Sequence, residues 1–373
     1  MPLPVTYILS NIHKALAFEW VAEELDRGRF GLSFVLLNPG DSVLETFLRG
    51  RGVDVLRVAY RGKKDLPAAI FRIVRFLRTR GTRVVHCHLF DACVAGLVAA
   101  RLAGVKKRLY TRHYATFHQV YFPRAVYYDR FINAQATGIV AISGNVKGAL
   151  RKEGVNPRKV HLVHHGFRLE AFGDVAAERT AGLRSKYGLA GKGPVVGVIS
   201  RYFELKGIQY VVPAFRQLLA RFPGAHLVLA NATGDYAATI RALLSELPAG
   251  SYTEIRFEED VAALYGLFDV FLHVPINEHL EAFGQTYVEA LAAGVPSVFT
   301  LSGVAPEFIE DGRNALVVPF RDAAAIYEAT SRLLEDAPLR QSIVAQGRAD
   351  VQGRFSLHTM IHKLEELYQD EHD

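Results

Sequence analysis

Short apolar runs alternate with stretches of helical length along almost the whole chain, and the alternating series occurs twice. The runs are rich in Val, Ile and Leu, as at Val84–Cys87 and Val195–Ile199. Strands of this composition are buried on both faces, which is typical of parallel sheets covered by crossover helices. The pattern therefore predicts an α/β protein of two doubly wound, Rossmann-like domains that face a cleft.

The length of 373 residues suits two domains of this kind. A polar, glycine-containing stretch from Leu169 to Gly193 separates the two series of strands and helices. We therefore predict an N-terminal Rossmann-like domain over residues 1–170 and a C-terminal one over residues 171–354. Residues 355–373 are predicted to form a final helix that packs back toward the N-terminal domain.

Composition excludes several classes of protein. With 50% hydrophobic and 22% charged residues the chain can bury a core, which excludes an intrinsically disordered protein. No apolar stretch reaches the ~18 residues that a membrane-spanning helix needs, and the first residues lack the basic region of a signal peptide. The two cysteines, Cys87 and Cys93, cannot build a disulfide framework. We expect a reducing, cytoplasmic location.

Charge is distributed unevenly between the two halves of the chain. Residues 1–170 contain 27 Lys and Arg against 12 Asp and Glu, a net charge of +15, whereas the remainder carries −9. A basic half suits an anionic partner such as phospholipid, a phosphorylated acceptor or nucleic acid. Within it, the predicted helix Ala68–Arg80 combines four arginines with apolar residues. A solvated helix, with Ile70, Phe71, Val74 and Leu77 in the core, and a weak contact with anionic lipid both remain open.

The first candidate binding motif is Ser200-Arg201-x4-Lys206-Gly207, which follows the predicted strand Val195–Ile199. Ligands of doubly wound sheets bind at the carboxyl ends of the strands. Arg201 offers a planar fork and Lys206 a point charge, and both suit phosphate oxygens. Two solvated surface charges are the alternative interpretation.

The second candidate motif is Glu281-x7-Glu289-Ala290, which continues into Ala292-Ala293-Gly294-Val295-Pro296. Glu281 is predicted in a loop and Glu289 about one turn inside a helix. The free backbone N–H groups at the start of that helix are a ready site for a diphosphate. Carboxylates accept hydrogen bonds from sugar and ribose hydroxyls. A capping Glu together with an exposed Glu is the alternative.

Two patterns in the first half have several interpretations. His86 and His88 share one face of a strand and Cys87 points to the other, so the three cannot bind one metal ion, and we predict no metal site. The stretch from Lys106 to Arg130 mixes basic and aromatic residues. That mixture is compatible with nucleic-acid binding, a sugar-stacking acceptor loop, a membrane-facing surface or a packed aromatic core.

These motifs occur in a fixed order: S-R-x4-K-G, then E-x7-E-A some 75 residues later, then A-x-G-x-P. In this combination the chain resembles family 4 of the retaining glycosyltransferases, which have the GT-B fold. The resemblance covers nearly the whole chain. It extends to weaker motifs in the first half: Val84-Val85-His86-Cys87-His88, Leu109-Tyr110-Thr111-Arg112-His113 and Val163-His164-His165-Gly166-Phe167.

The resemblance implies a role for each matching residue. Arg201 and Lys206 would bind the donor diphosphate, Glu289 the ribose and Glu281 the transferred sugar, while His113 would lie beside the donor sugar. The backbone N–H groups of the segment after Glu281 would meet the phosphates and sugar; this segment comprises Phe283, Gly284, Gln285 and Thr286. His165 and Gly166 are expected to line the cleft.

The chain departs from the family pattern at two places. The family often has Gly at position 282, an apolar residue at 285 and Pro at 286, where this chain has Ala282, Gln285 and Thr286. These changes bear on the identity of the donor sugar. The glycine pair that often follows the first strand is also replaced, so His13 or Lys14 is expected near the acceptor or a phosphate, or in a surface turn.

The resemblance implies a retaining, metal-independent hexosyltransferase without a cofactor. It would move a hexose from a nucleoside diphosphate sugar to a hydroxyl of a glycan, glycolipid or small molecule, in polysaccharide or glycolipid assembly at the inner face of a membrane. A GT-B sugar phosphorylase or sucrose-type synthase is the main alternative. A non-enzymatic nucleic-acid-binding protein is less favoured, as is a dinucleotide-dependent dehydrogenase, because neither domain begins with strand-G-x-G-x-x-G.

Overall fold

The computed structural model describes residues 1–173 and 175–370. The chain forms two compact units. The first contains residues 1–167 and the C-terminal segment that begins at Leu357, and the second contains residues 168–356. The unit boundary therefore falls three residues before the predicted one.

The first unit is built on a parallel sheet, in which seven strands lie among the residues described. The strands are β1 (Leu3–Ser10), β2 (Phe30–Leu37), β3 (Asp54–Val58), β4 (Val84–His88), β5 (Lys107–Arg112), β6 (Gly138–Ala141) and β7 (Val160–Leu162). The helices are α1 (Leu16–Glu24), α2 (Val43–Gly50), α3 (Leu66–Thr79), α4 (Phe90–Ala103), α5 (Phe117–Tyr121), α6 (Ala125–Gln135), α7 (Gly144–Lys152) and, from the chain end, α16 (Leu357–Gln369).

The second unit has a parallel sheet with six strands among its described residues. The strands are β8 (Val195–Ile199), β9 (His226–Ala230), β10 (Tyr252–Ile255), β11 (Val270–His273), β12 (Ser297–Phe299) and β13 (Leu316–Val317). The helices are α8 (Glu170–Gly173), α9 (Ala177–Lys186), α10 (Ile208–Arg221), α11 (Ala237–Leu244), α12 (Val261–Tyr265), α13 (Gln285–Ala293), α14 (Ala323–Glu335) and α15 (Ala337–Phe355).

Both sheets reverse their strand order at a single point. In the first the order is β3-β2-β1-β4-β5-β6-β7, and in the second β10-β9-β8-β11-β12-β13. The order reverses beside β1 and β4 in one sheet and beside β8 and β11 in the other. Ligands of doubly wound sheets bind outside the carboxyl ends of the strands at this point. The predicted α/β class with two doubly wound sheets is confirmed.

The final helix, α16, belongs to the core of the first unit. Its apolar face joins the cluster formed by side chains of β1 and β2; the buried members from the helix are Leu357, Met360, Ile361, Leu364, Leu367 and Tyr368. The hydroxyl of Tyr368 lies 2.5 Å from that of Tyr7 and 2.7 Å from Nδ1 of His86. Lys107 donates to the carbonyl oxygens of Tyr368 and Asp370, which places a cation at the negative end of the helix.

Several helices lie where the sequence pattern predicted none, and one predicted strand is shifted. Helix α2 begins at an N-cap serine, since the Ser42 side chain accepts from the backbone N–H of Glu45 at 3.1 Å. Helix α9 lies inside the stretch from Leu169 to Gly193, where polar composition suggested a linker, and buries only Leu183. The sequence pattern predicts a strand at Ile255–Phe257. The strand in the structure, β10, lies earlier, since pairing with β9 ends at Ile255 and Phe257 is exposed.

Candidate active site

The loop after β8 brings Lys206 to the carboxyl end of β11. A 3₁₀ turn over Glu204–Lys206 ends at Gly207, whose φ is +76°. A Cβ at this position would lie 1.9 Å from the carbonyl oxygen of Val274, one residue beyond β11. Only glycine combines this backbone conformation with so close an approach. The glycine of the S-R-x4-K-G motif therefore allows the 3₁₀ turn that carries Lys206 to pack against the end of β11.

Lys206 makes an ion pair with Glu281, and His273 completes the cluster. The Lys206 ammonium donates to Oε1 of Glu281, and Nε2 of His273, the last residue of β11, lies 3.4 Å from the same oxygen. The side chains of Glu281 and His273 are nearly enclosed, and that of Lys206 is 21% exposed. Two candidate residues that are 75 positions apart in sequence are thus in direct contact.

This cluster keeps the Glu281 carboxylate charged. Burial by itself would raise the pKa of Glu281, but the contacts with His273 and Lys206 outweigh burial and lower its pKa to about 2. Burial lowers the pKa of His273, which leaves its imidazole largely neutral near pH 7. The cluster therefore presents a fixed carboxylate with one cation beside it.

The N-cap of helix α13 is the left-handed Gly284 (φ +86°), three residues after Glu281. A Cβ on Gly284 would lie 2.5 Å from the Tyr287 ring and 3.9 Å from Nε2 of His273, so the histidine lies close to the start of the helix. The hydroxyl of Thr286, in the first turn, is buried without a hydrogen-bond partner among the described residues. The first turn also carries backbone N–H groups that the helix itself does not satisfy. These donors suit an anion.

Glu289 lies one turn further along α13 in different surroundings. Its carboxylate accepts from the Gln285 side chain and, at 3.1 Å, from the Tyr265 hydroxyl. Burial raises the pKa of Glu289, and these two neutral donors offset the effect only in part. The two carboxylates of the E-x7-E motif thus differ in kind, since Glu281 has a cationic partner and Glu289 has neutral ones.

The remaining candidate of the second unit, Arg201, lies outside this cluster. It is exposed, and its guanidinium carbon lies 4.5 Å from the centre of the Phe203 ring. Such stacking orients a guanidinium while its N–H groups stay available to phosphate oxygens.

In the first unit, His113 lies in a row of histidines at the ends of β4, β5 and β7. Its Nε2 is 3.1 Å from Nδ1 of His88, and its ring stacks on that of His165 with centroids 5.6 Å apart. The ring of His88 in turn lies 4.3 Å from that of His86. The backbone N–H of Gly166 donates to the sulfur of Met360 on α16. The sequence candidates His113, His165 and Gly166 therefore lie near the strand ends of the first sheet.

Burial lowers the pKa of every histidine in this row. The pKa of His86 and that of His165 fall to about 3, that of His113 falls to about 4, and that of His88 falls well below its ordinary value. Neighbouring imidazoles add to the effect for His88, His113 and His165. The row is therefore uncharged at neutral pH.

His13 and Lys14 lie in the loop after β1 and are exposed. The carbonyl oxygen of His13 accepts from the backbone N–H of Leu44 at 3.0 Å, which ties the loop to helix α2. Both residues thus lie in an exposed turn after β1, beside the point where the first sheet reverses its strand order.

Within residues 1–173 and 175–370, no three His, Cys, Asp or Glu side chains are arranged to bind a metal ion. His86 uses both ring nitrogens in hydrogen bonds, to Tyr368 and at 2.8 Å to Thr111. In the same part of the chain no helix has the length and hydropathy of a membrane span.

The basic and aromatic stretch of the first unit is held by a buried charge cluster. Arg112, the last residue of β5, is 1% exposed and contacts Asp129 of α6 at 3.3 Å and Glu153 at 2.7 Å. His118 also contacts Asp129, at 2.9 Å. The cluster therefore joins the segment of α5 and α6 to the strand that ends beside His113.

Much of the aromatic surface of this segment is exposed. Of fourteen exposed large hydrophobic residues in the described part of the chain, half lie within residues 117–131; they are Phe117, Val120, Tyr121, Phe122, Tyr127, Tyr128 and Phe131. We call residues 117–131 the aromatic segment. A packed aromatic core is therefore the wrong interpretation for these side chains. On helix α3, Phe71 is also exposed, whereas Ala69, Ile73 and Leu77 are buried, so placing Phe71 in the core was wrong as well.

Comparison with known proteins identifies the family. The family model for glycosyl transferases group 1 matches residues 180–350, and that for glycosyltransferase family 4 matches residues 21–171. The chain belongs to glycosyltransferase family 4. It is 30% identical over 224 residues to a GDP-mannose-dependent monoacylated alpha-(1-6)-phosphatidylinositol monomannoside mannosyltransferase of Corynebacterium glutamicum, an alignment that covers 58% of each chain. It is 26% identical over 189 residues to N-acetyl-alpha-D-glucosaminyl L-malate synthase of Bacillus anthracis, covering 50% of this chain and 48% of the relative.

Solved structures show the same fold for this chain. HepE of Anabaena, crystallised with UDP and glucose, matches with a TM-score of 0.82 and 19% identity over 98% of this chain and 99% of that one. A glycosyltransferase of Rickettsia africae matches with a TM-score of 0.83 and 19% identity over 99% and 98%. The fold is GT-B. The chain spans about half the length of the curated relatives that it matches.

Sequence reasoning missed three residues of the candidate site. His273 ends a buried strand next to β8, and that position was a sufficient reason to consider it. Tyr265 contacts Glu289 from another helix, and no spacing in the sequence indicates that contact. His88 was considered as a metal ligand and as part of a weak family motif but was given no role at the site, although its strand is the neighbour of the one that precedes His113.

The neutral histidines predict a loss of stability on mild acidification. Each of them has a lower pKa in the folded state than the ordinary value of 6.5, so the unfolded chain binds protons first as the pH falls. The contribution of these histidines to the free energy of unfolding is fully present above about pH 6.5. It is lost progressively as the pH falls toward their folded-state pKa values of about 3 to 4. At pH 5 the decline is about 2 kcal/mol for each such histidine. Guanidinium unfolding at pH 7.5 and 5 measures it.

The variant His86→Gln isolates one member of the row. We expect its loss of stability between pH 7.5 and 5 to be smaller than that of the wild type by about 2 kcal/mol, because it has one fewer group to protonate. The exposed His358→Gln is the matched control and is expected to retain the full loss. An equal loss in His86→Gln and the wild type would contradict a neutral buried His86.

Proposed function

We propose that the protein is a retaining hexosyltransferase that uses a nucleoside diphosphate sugar and transfers its hexose to a hydroxyl of a glycan, glycolipid or small-molecule acceptor. The observation that carries the proposal is the contact of Lys206 with Glu281 beside the first turn of α13, at the point where the second sheet reverses its order. There, donors for a diphosphate and a charged acceptor for sugar hydroxyls lie within one cluster. Membership in the family favours this function over nucleic-acid binding.

Each polar group of the cluster has a place in the proposed reaction. Lys206 and Arg201 bind the diphosphate, and the backbone N–H groups from Phe283 to Thr286 add donors at the positive end of the helix. Glu281 accepts hydrogen bonds from hydroxyls of the transferred sugar, and Glu289 from those of the ribose. The Thr286 hydroxyl, which lacks a partner among the described residues, adds one more donor for the ligand.

The proposed mechanism relies on fixed charge. As the glycosidic bond breaks, negative charge grows on the leaving diphosphate, and Lys206, Arg201 and the helix terminus stabilise it without a divalent metal. The acceptor attacks from the face that the diphosphate leaves, and a phosphate oxygen takes the acceptor proton. The sugar then keeps its anomeric configuration, and no nucleophilic carboxylate is needed, unlike in retaining glycosidases.

Several relatives of this chain are named for GDP-mannose, which makes GDP-mannose the first donor to test. A thermal-shift panel of nucleoside diphosphates, nucleotide sugars, sugar phosphates and inorganic phosphate tests the donor class. A donor at 100 times its Kd adds about 2.7 kcal/mol to the free energy of unfolding. Stabilisation by phosphate or a sugar phosphate alone would favour the phosphorylase alternative, and stabilisation by none of the panel would contradict the proposal.

The two carboxylates are predicted to act at opposite ends of the donor. Glu289→Gln is expected to weaken binding of free nucleoside diphosphate about tenfold, because a neutral amide accepts ribose hydrogen bonds less well than a carboxylate. Glu281→Gln is expected to leave that affinity within about threefold and to lower sugar transfer by at least tenfold. Calorimetry with the free diphosphate and steady-state kinetics with the sugar donor measure the two effects. Equal losses of diphosphate affinity would contradict the assignment.

The configuration of the product tests the stereochemical part of the proposal. An α-linked donor is expected to give an α-linked product, which NMR of the anomeric proton distinguishes from a β-linked one. Because protein charges replace a metal ion in the proposed mechanism, EDTA is expected to leave the rate unchanged. A β-linked product would show an inverting enzyme, and a rate abolished by EDTA and restored by Mg²⁺ would show a metal-dependent one.

We propose further that the first unit attaches the enzyme weakly to the cytoplasmic face of a membrane. The aromatic segment supplies apolar and amphipathic side chains, and Arg124 and Arg130 lie within it. Lys63 adds a cation, since its ammonium lies 5.6 Å from the centre of the Tyr128 ring. Aromatic rings at the headgroup level together with cations near anionic lipid are the usual elements of peripheral attachment.

Paired substitutions with a matched control test the membrane contact. The double variant Phe117→Ser/Phe122→Ser is expected to reduce co-sedimentation with anionic vesicles about tenfold, because each exposed ring loses its partition into the interface. The control is Phe257→Ser/Phe320→Ser, which removes two exposed rings of the second unit. High salt is expected to weaken binding of the wild type. Absence of pelleting at low salt, or an equal loss in the control, would exclude this contact.

A further inference from the structure

His88 and His113 form a hydrogen-bonded pair in the first unit. His88 ends β4, and His113 is the first residue after β5. The two strands are parallel neighbours with His88 opposite Thr111, so their carboxyl ends lie side by side. Nδ1 of His88 is 3.1 Å from Nε2 of His113. Because burial keeps both rings neutral near pH 7, this contact contains one proton, which is bound to one of the two nitrogens.

The surroundings of His88 decide which nitrogen is the donor. Its ring stacks on Tyr7 at 5.2 Å and meets the ring of Phe18 edge to face at 4.9 Å. Its other nitrogen, Nε2, is buried without a hydrogen-bond partner among the described residues. If His113 were the donor, His88 would carry its own proton on Nε2, which would be a buried N–H without an acceptor. Orphaned N–H groups are rare in protein interiors, and an aromatic face is a weak substitute for a carbonyl oxygen.

We infer that His88 donates from Nδ1 to Nε2 of His113 and is a positioning residue that fixes the tautomer of His113. The remaining proton of His113 then lies on Nδ1, which makes that nitrogen a hydrogen-bond donor. The ring of His165 stacks on that of His113 with the two planes inclined by 12°, so the His113 ring has two imidazole neighbours. The groups that face the pair are His86 from β4, Tyr7 from β1 and His165 from the segment after β7.

The consequence for catalysis rests on the proposed function and on the position beside the donor sugar that the family resemblance implies for His113. An imidazole with its proton on Nδ1 donates a hydrogen bond to a sugar oxygen at that nitrogen and does not act there as a base. His88 thus sets what His113 offers to the substrate without touching the substrate itself. The role resembles that of groups behind metal-bound or catalytic histidines, which select a tautomer through the nitrogen that is turned away.

NMR of the whole protein labelled with ¹⁵N-histidine tests the tautomer without any substrate. Two-bond ¹H–¹⁵N correlation, assigned with the variant His113→Gln, is expected to show His113 protonated at Nδ1. Two variants of similar shape, His88→Asn and His88→Asp, then test whether residue 88 must donate a hydrogen bond to Nε2 of His113. Asn retains an N–H in the place of Nδ1 and is expected to preserve the pattern, whereas Asp only accepts and is expected to move the proton to Nε2 or to protonate the ring. A wild-type His113 protonated at Nε2 would overturn the inference.

Kinetics of the same variants test the positioning role. His88→Asn is expected to keep kcat within about threefold of the wild type, while His88→Asp lowers kcat at least tenfold and shifts the pH profile. Equal kcat values in the two variants, with the tautomers as expected, would overturn the role of His88 in catalysis. If His88→Asp does not fold, the tautomer of His113 in the wild type and in His88→Asn still tests whether His88 is the donor. Absence of sugar transfer by the wild type would refute the proposed function and leave the tautomer measurement unaffected.

Discussion

Two parallel sheets whose central strands are buried on both faces determine where this chain can place polar side chains. Strands such as β8 and β11 are covered on both faces, so side chains that must meet a charged ligand can lie only beyond the strand ends. The candidate residues follow this constraint. Lys206 follows β8, and His273 ends β11, while His88 ends β4 and His113 follows β5. The close approach of Gly207 to Val274 brings the turn that carries Lys206 against the end of β11, and Lys206 makes an ion pair with Glu281 from the loop that follows β11.

Glu281 and the histidine row reach opposite charge states because their neighbours differ. Glu281 in the second unit stays ionised because Lys206 lies against it, although burial alone would favour the protonated form. In the first unit, the partners of His86 and His88 among the described residues are hydroxyls and another imidazole, and burial keeps both rings neutral. The cluster around Glu281 therefore presents a fixed charge, whereas the histidine row presents neutral hydrogen-bonding groups.

A charge cluster also links the candidate site of the first unit to its exposed aromatic surface. Arg112 is the residue before His113, and it is buried against Asp129 of α6 and Glu153. Removing one partner of such a cluster leaves an uncompensated buried charge, which is costly. The aromatic segment is thus held in place by the same strand end that carries His113. A membrane contact made by this segment would lie next to a candidate catalytic residue of the same unit.

The alternation of apolar runs and helices was enough to predict the α/β class and both doubly wound sheets. The predicted strand Val195–Ile199 agrees with β8 to the residue, and the predicted strand Val84–Cys87 is β4 with one further residue, His88. The predictions failed where local composition is a poor guide. Helix α9 is polar and is fixed by contacts such as Arg179 with Asp260, while the strand at β10 ends where its partner β9 ends rather than at the apolar Phe257.

For the site, the sequence by itself determined the residue types and their spacing, including Lys206, Glu281, Glu289 and His113. Only the tertiary structure decided their partners, because contacts such as those of Lys206 with Glu281 and of Tyr265 with Glu289 join different elements. The charge of Glu281 and the neutrality of His113 depend on burial and on those neighbours. Spacing along the chain carries no information on either quantity, since both are set by which strand ends the sheet order brings together.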